Sequence, residues 1–278
     1  MAKMLAYIGE YCRGYFLIIN HIQIGSGQDI IFLHGWGGST ASFYNIANRL
    51  KHKYRVTLLD FYGFGKTPMQ KKPLFVRDYA ESVIELINHY KMNDIILVGH
   101  SFGGRVAIYI ASKFGYLLNK LILVDSAGLL PHRGIIYHYK VTKHKILRHF
   151  GITHKAGSKD YQQLNSIEKQ TFINVVNEDL TDLAKKITVP TLIFWGSKDK
   201  ETAIYMAKKL KRIIYGSCLV MFKGAGHYSY LDEPDLFYKL TVIFLSEVGY
   251  GMVVSNSFDN FKLGGVTKII YTKSSRKL

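Results

Sequence analysis

The stretch Asp94-Ile-Ile-Leu-Val-Gly99-His-Ser101-Phe-Gly103-Gly-Arg-Val-Ala-Ile constrains this chain more than any other. Asp94 to Val98 reads as a strand and Phe102 to Phe114 as a helix, with Gly99-His-Ser101-Phe-Gly103 spanning the junction. So tight a turn forces its central residue into a strained backbone conformation. A side chain at Gly99 or Gly103 would collide with the neighbouring strand or helix. Ser101 Oγ is thereby pushed into the open at a helix N-terminus. There the Phe102 N–H and the helix dipole face any negative charge that develops beside it. A G-x-S-x-G pattern set between strand and helix predicts a nucleophilic Ser101.

Such a junction needs a sheet around it, and the rest of the chain has the matching rhythm. Asp29–Leu33, Arg55–Leu59, Asp94–Val98, Lys120–Val124, Thr191–Trp195 and Ser217–Phe222 are apolar runs of the kind covered on both faces. Helical patterns lie between them at Ala41–Lys51, Asp78–Tyr90, Phe102–Phe114, Glu201–Arg212 and Pro234–Glu247. The alternation implies right-handed crossovers and an α/β fold with a mostly parallel, doubly wound sheet. It breaks once, between Leu129 and about Val189, where helical patterns run without a convincing strand. The expected division is therefore a core of residues 1–128 and 190–248, a helical insertion over 129–189, and a tail at 249–278. The tail has a short apolar run at Val266–Tyr271 that its pattern does not place, and it is expected to be partly disordered.

A serine hydroxyl is inert until a base takes its proton, and the base needs an acid to orient it. Both are found in order along the chain. The strand Thr191–Trp195 ends in Gly196-Ser-Lys-Asp199, and Ser217–Phe222 ends in Gly224-Ala-Gly226-His227. Catalytic groups of open α/β sheets sit beyond the C-terminal ends of strands, where Ser101, Asp199 and His227 all fall. Gly224 and Gly226 are expected to let the chain bend so that His227 reaches Ser101. Asp125 also ends a strand and competes as the acid, although closing the turn at Ser126-Ala-Gly128 is its preferred role. A second oxyanion donor beside Phe102 should come from the loop after an early strand, and His34-Gly-Trp36-Gly-Gly38 offers the Trp36 N–H. Gly63-Phe-Gly65-Lys66-Thr67 ends like a phosphate loop, but Asp60 occupies the position that G-x-x-x-x-G-K-[ST] reserves for glycine. It is expected to be a surface turn instead.

Charge and composition narrow the class further. The chain of 278 residues has 37 Lys+Arg against 20 Asp+Glu, a formal net charge of +17, spread diffusely rather than gathered into a nucleic-acid footprint. The main cluster is His138–Phe150, where four basic residues interleave with apolar ones and no acid occurs. That pattern allows weak membrane-surface contact, with a solvated helix face the preferred alternative. No apolar run approaches the roughly 18 residues of a membrane span. Cys12 and Cys218 lie too far apart in sequence for a disulfide framework or a Cys-based zinc site. The expectation is a cytoplasmic protein without cofactor or metal, acting on a small molecule, of unassigned oligomeric state.

The sequence resembles the α/β-hydrolase fold enzymes with a helical cap. The matching pieces are HGWGGS (His34–Ser39), LLDFYGFGKT (Leu58–Thr67), LVGHSFGG (Leu97–Gly104), WGSKD (Trp195–Asp199) and GAGHYSYLDEP (Gly224–Pro234), spread from about Asp29 to Glu247. The resemblance implies a Ser101–His227–Asp199 triad, an oxyanion hole of Trp36 and Phe102, and a cap at Leu129–Val189. Ser101 stands where haloalkane dehalogenases and epoxide hydrolases carry Asp, which disfavours those chemistries. Hydrolases of ring-cleavage products are the nearest rival, yet their elbow commonly has Asn and Met where His100 and Phe102 stand here. The expected activity is hydrolysis of an ester or thioester of a small, largely apolar acid. The alternatives are C–C cleavage of a diketo acid, a slow-turnover sensor, or an acyltransferase.

Overall fold

Six of the apolar runs become adjacent strands of one sheet. In the computed structural model, which describes residues 19–130 and 164–246 and the backbone of 266–270, these strands are β2 (Gln28–Leu33), β3 (Tyr54–Leu59), β4 (Ile95–His100), β5 (Leu118–Val124), β6 (Thr191–Gly196) and β7 (Cys218–Phe222). Two further strands, β1 (His21–Ile24) and β8 (Val266–Ile270), close the edges, giving the order β1-β3-β2-β4-β5-β6-β7-β8. Strands β2 to β7 pair in parallel, whereas β1 runs antiparallel to β3 and β8 antiparallel to β7. So part of the tail expected to be disordered is a sheet edge. It gives partners to β7 N–H and C=O groups that would otherwise be bare.

Every residue of β4, β6 and β7 is buried, as strands covered on both faces require. Alternation along β2 sends Ile31 and Leu33 to one face and Ile30 and Phe32 to the other. The first face is covered by α2 (Val76–His89) and α3 (Phe102–Lys113) through Val76, Tyr79, Val83, Leu86, Val106 and Ile110. Met206 and Leu210 of α6 (Ile204–Ile213) extend that layer. The second is covered by α1 (Tyr44–Leu50) and α7 (Pro234–Ser246) through Ile46, Leu50, Phe237, Leu240 and Phe244. Burying each such side chain contributes about 1.5–3 kcal/mol, so the two layers hold the sheet rigid beneath the loops at its C-terminal edge.

Local chemistry sets the helix ends. Helix α2 begins at Val76, ahead of the expected Asp78, because Asp78 Oδ2 accepts the Phe75 N–H at 2.7 Å and closes the first turn from inside the helix. Between β5 and β6 the described residues hold α4 (Ser166–Asn177) and α5 (Thr181–Ala184), both within the expected cap. Asn165 Oδ1 accepts the Glu168 N–H at 3.0 Å and Glu168 Oε2 accepts the Asn165 N–H at 2.9 Å, a reciprocal cap on α4. Helix α4 is fastened to the core. Thr171 Oγ1 accepts the Leu74 N–H at 3.0 Å, and buried Arg105 of α3 donates to the Glu178 carbonyl at 2.7 Å. The basic stretch His138–Phe150 lies outside the described residues.

Candidate active site

Strand β4 enters the elbow with no room for side chains. A Cβ on Gly99 would lie 2.5 Å from the Gly103 carbonyl oxygen, and one on Gly103 would lie 2.2 Å from that of Leu33. Ser101 itself sits at φ +50, ψ −111, where L-residues are strained. The strain is held from both sides. Ser101 N–H donates to the Val124 carbonyl at 3.1 Å, and Ser101 O accepts the Ala127 N–H at 3.0 Å, so the tip of β5 braces the turn.

The three residues singled out in the sequence meet at this edge. His227 Nε2 lies 2.9 Å from Ser101 Oγ, and His227 Nδ1 lies 2.9 Å from Asp199 Oδ2. Asp199 is held in turn: Oδ1 accepts the N–H groups of Glu201 (2.8 Å) and Thr202 (2.9 Å), and Oδ2 accepts the Thr202 hydroxyl at 2.6 Å. Those two amides are spent on the acid, which is why α6 starts at Ile204 and not at Glu201 as its pattern suggests. Burial pushes the Asp199 carboxyl up, but the hydrogen bonds from His227 and Thr202 outweigh it and hold it below the usual carboxylate value. Burial likewise opposes charge on His227. Its hydrogen bond to Asp199 and the charges of Asp199, Glu201 and Asp125 outweigh that, so its pKa is raised.

Asp125 is not the acid that orients His227. Its carboxylate, fully buried, accepts the Gly196 N–H at 2.7 Å and the Ser229 N–H at 3.0 Å. In place of the expected closure of the Ser126–Gly128 turn, it ties the start of the Asp199 loop to the end of the His227 loop. Burial pushes its carboxyl up to about 7, although the Gly196 and Ser229 N–H groups pull the other way. Of the two glycines before His227, only Gly224 has a left-handed backbone, at φ +84. A Cβ on Gly226 would meet nothing nearer than Asp232 Oδ2 at 3.6 Å.

On the other side of Ser101, the Trp36 ring packs edge-on against Phe102 at 5.4 Å, Phe64 at 5.0 Å and Phe172 at 5.1 Å between centroids. Gly37 at φ +78 lets the His34–Gly38 loop turn there. Two buried histidines support the floor. His34 Nδ1–H donates to the Gly35 carbonyl at 2.7 Å while Nε2 accepts the Phe61 N–H at 3.1 Å, and His100 Nε2–H donates to the His227 carbonyl at 2.8 Å. Burial lowers His34 to about 4 and His100 to about 3, so both are neutral. The Gly63–Thr67 loop is the surface turn expected, with Gly63, Gly65 and Lys66 exposed, and it is organised around the buried Asp60. Asp60 Oδ1 accepts the Thr40 N–H at 2.6 Å, Oδ2 accepts the Lys66 N–H at 2.8 Å, and a Cβ on Gly65 would strike the carboxylate. Among the described residues no group of three or more His, Cys, Asp or Glu is placed to hold a metal ion, and no helix there is long and apolar enough to cross a membrane.

The profile of the alpha/beta hydrolase family matches residues 30–240. The chain belongs to this family. As an alpha/beta hydrolase it is 30% identical over 240 residues to AB hydrolase superfamily protein YisY of Bacillus subtilis, with 77% of this chain and 90% of the relative covered. It is 26% identical over 275 residues to the 2-hydroxy-6-oxo-6-(2'-aminophenyl)hexa-2,4-dienoic acid hydrolase of Metapseudomonas resinovorans, covering 87% and 92%. Among solved structures it is similar to an esterase from Exiguobacterium antarcticum, with a TM-score of 0.68 and 29% identity over 82% of this chain and 96% of the other. Two residues of this hydrolase's site escape the sequence pattern. Thr202 is one, although an acceptor such as Asp199 three residues before a Thr is a capping signal. Glu201 is the other, with Oε2 3.3 Å from His227 Nε2, and nothing in its sequence context announces it.

Proposed function

We propose that this alpha/beta hydrolase is a serine hydrolase that cleaves a carboxylic ester or thioester of a small, largely apolar acid through an acyl-enzyme. The observation that carries the reading is the unbroken line of contacts from Ser101 Oγ through His227 to Asp199. Ser101 Oγ attacks the carbonyl carbon as its proton passes to His227 Nε2. Asp199 fixes the Nδ1–H tautomer and stabilises the imidazolium. The Trp36 and Phe102 N–H groups hold the oxyanion; the latter opens α3, where a helix leaves its first N–H groups without intrahelical acceptors. Collapse breaks the C–O or C–S bond, and the leaving atom takes the proton from Nε2. Water then repeats the sequence on the acyl-enzyme and frees the acid.

In this reading residues 129–189 cap the pocket, with α4 and α5 as the cap's C-terminal part, over a core of 1–128 and 190–248. The aromatic wall of Trp36, Phe64 and Phe172 suits an apolar acyl group. The chemistry needs neither cofactor nor metal. Two distant cysteines suit a cytoplasmic location. A second reading, C–C hydrolysis of a dienoic keto acid, is favoured by the likeness to the Metapseudomonas resinovorans enzyme.

The test is turnover of p-nitrophenyl esters of increasing chain length, with fluorophosphonate labelling, by the wild type and Ser101→Ala. Turnover and labelling, both lost in Ser101→Ala, are the expected result, and the best chain length sizes the pocket. Undiminished turnover by the variant would overturn the reading. Faster cleavage of a dienoic keto acid than of any ester would decide for the second.

A further inference from the structure

His100 reaches across the site to the backbone of the base. Its Nε2 lies 2.8 Å from the His227 carbonyl oxygen, and because a carbonyl only accepts, this nitrogen carries the ring's proton. The ring is buried, with its centroid 5.0 Å from that of His227, 5.1 Å from that of Tyr228 and 5.1 Å from that of Tyr230. It also meets the His34–Gly38 loop, since a Cβ on Gly35 would lie 2.7 Å from His100 Nδ1 and 3.3 Å from Ser101 Cβ. One imidazole, next in the chain to Ser101, is thus wedged between the loop that carries Trp36 and the loop that carries His227. Burial keeps it neutral, so it adds no like charge beside an imidazolium formed on His227.

The ties that hold His227 differ in how they survive acylation. Ser101 Oγ lies 2.9 Å from Nε2 and can donate to it only while it is a hydroxyl. Once Oγ is acylated it has no proton to give, and that bond is gone when deacylation begins. Water then attacks the acyl carbon as its proton passes to Nε2. The C–Oγ bond breaks, and Oγ takes the proton back. Through this step the base must keep its place without the serine. Four ties remain: Asp199 Oδ2 at Nδ1 (2.9 Å), Asp232 Oδ2 on the Gly226 N–H (2.7 Å), Asp125 Oδ2 on the Ser229 N–H (3.0 Å), and His100 on the His227 carbonyl. Of these four, the His100 bond is the one that starts from the elbow, so it fixes the base relative to Ser101 itself.

We infer that His100 is a positioning residue whose hydrogen bond to the His227 carbonyl keeps the base aligned with Ser101, and that deacylation depends on this bond more than acylation does. The inference rests on the serine hydrolase reading.

The experiment separates the two steps with a p-nitrophenyl ester and enzyme in excess. Release of p-nitrophenol follows acylation of Ser101, and the mass of acid-quenched protein follows the acyl group as it leaves. The variants are His100→Met, an unbranched side chain without a donor, and His100→Gln, which keeps one. His100→Leu is a second donor-free variant should His100→Met fail to fold. Fluorophosphonate labelling counts the reactive serines in each preparation, so rates are expressed per active site and a loss of folded protein does not enter them. In the donor-free variant deacylation is expected to slow about tenfold, the scale of one lost buried hydrogen bond, while acylation slows less than about threefold. Acyl-enzyme then accumulates, and His100→Gln recovers most of the deacylation rate. Equal slowing of both steps, no slowing of either, or a His100→Gln that deacylates as poorly as the donor-free variant would overturn the inference and leave the serine hydrolase reading standing. A wild type that is neither labelled nor acylated would overturn that reading, and the inference with it.

Discussion

Asp125 Oδ2 accepts the Ser229 N–H at 3.0 Å, two residues beyond His227. Its other oxygen holds the Gly196 N–H, three residues ahead of Asp199. One buried carboxylate thus sets the spacing of the two loops that must bring acid and base together. Asp125→Asn keeps the volume but turns an NH2 group toward one of those N–H donors. Stability is expected to fall by about 1–3 kcal/mol in urea unfolding, with kcat reduced more than KM is raised. Unchanged stability and kcat would show that the two loops hold their spacing without it.

The pH dependence of kcat/KM reports His227 in the free enzyme. Raised pKa means that the imidazole stays protonated, and unable to act as base, to a higher pH than usual. The acidic limb is expected to have its midpoint above 6.5, the ordinary histidine value, with activity rising as pH rises through it. The groups that bear on His227 are Asp199, Glu201 and Asp125, which raise it, and His100, which is neutral until about pH 3. Glu201→Gln should move the midpoint down. A wild-type midpoint below 6.5 would contradict the assignment of His227 as base.

His34 and His100 make folding acid-sensitive. Each has a folded pKa below its unfolded value of 6.5, so the stability each contributes is full above 6.5. It is lost as pH falls through about 4 for His34 and about 3 for His100. Thermal melting should therefore decline from pH 6.5 downward. His100→Gln, which keeps a donor for the His227 carbonyl, should flatten the lower part of that decline.

Glycine substitutions should separate sharply. Gly103→Ala places a methyl 2.2 Å from a backbone oxygen in the elbow, and a loss of about 3 kcal/mol or more is expected, read as a drop of several degrees in Tm. Gly226→Ala adds a methyl with 3.6 Å of clearance and no left-handed backbone to oppose it. It should leave Tm nearly unchanged despite its place next to His227.

Much of this was legible because apolar runs and junction glycines are one-dimensional signals. Strands β2 to β7 each announce themselves by an apolar run, and the elbow by two glycines that backbone contacts make obligatory. Strand β1, His21–Ile24, escapes because it is four residues long, half-exposed, and defined by its pairing with β3. The roles of Asp125, Asp60 and Glu201 escape for a related reason. Most of these carboxylates' partners lie twenty or more residues away, and no local pattern encodes them. Asp60 is the sharpest example: the residue that spoils the phosphate-loop match is the one around which that loop is built.

Ser101 and His227 are 126 positions apart in the chain, and the contact between them requires β4, β5, β6 and β7 to be aligned first. Contacts between residues so distant in sequence reward the chain only after long loops have closed. The active geometry is thus a late event in self-assembly. During refolding, secondary structure and core burial should recover before fluorophosphonate reactivity does, and a fragment ending before β7 should have helices and strands but no reactive serine.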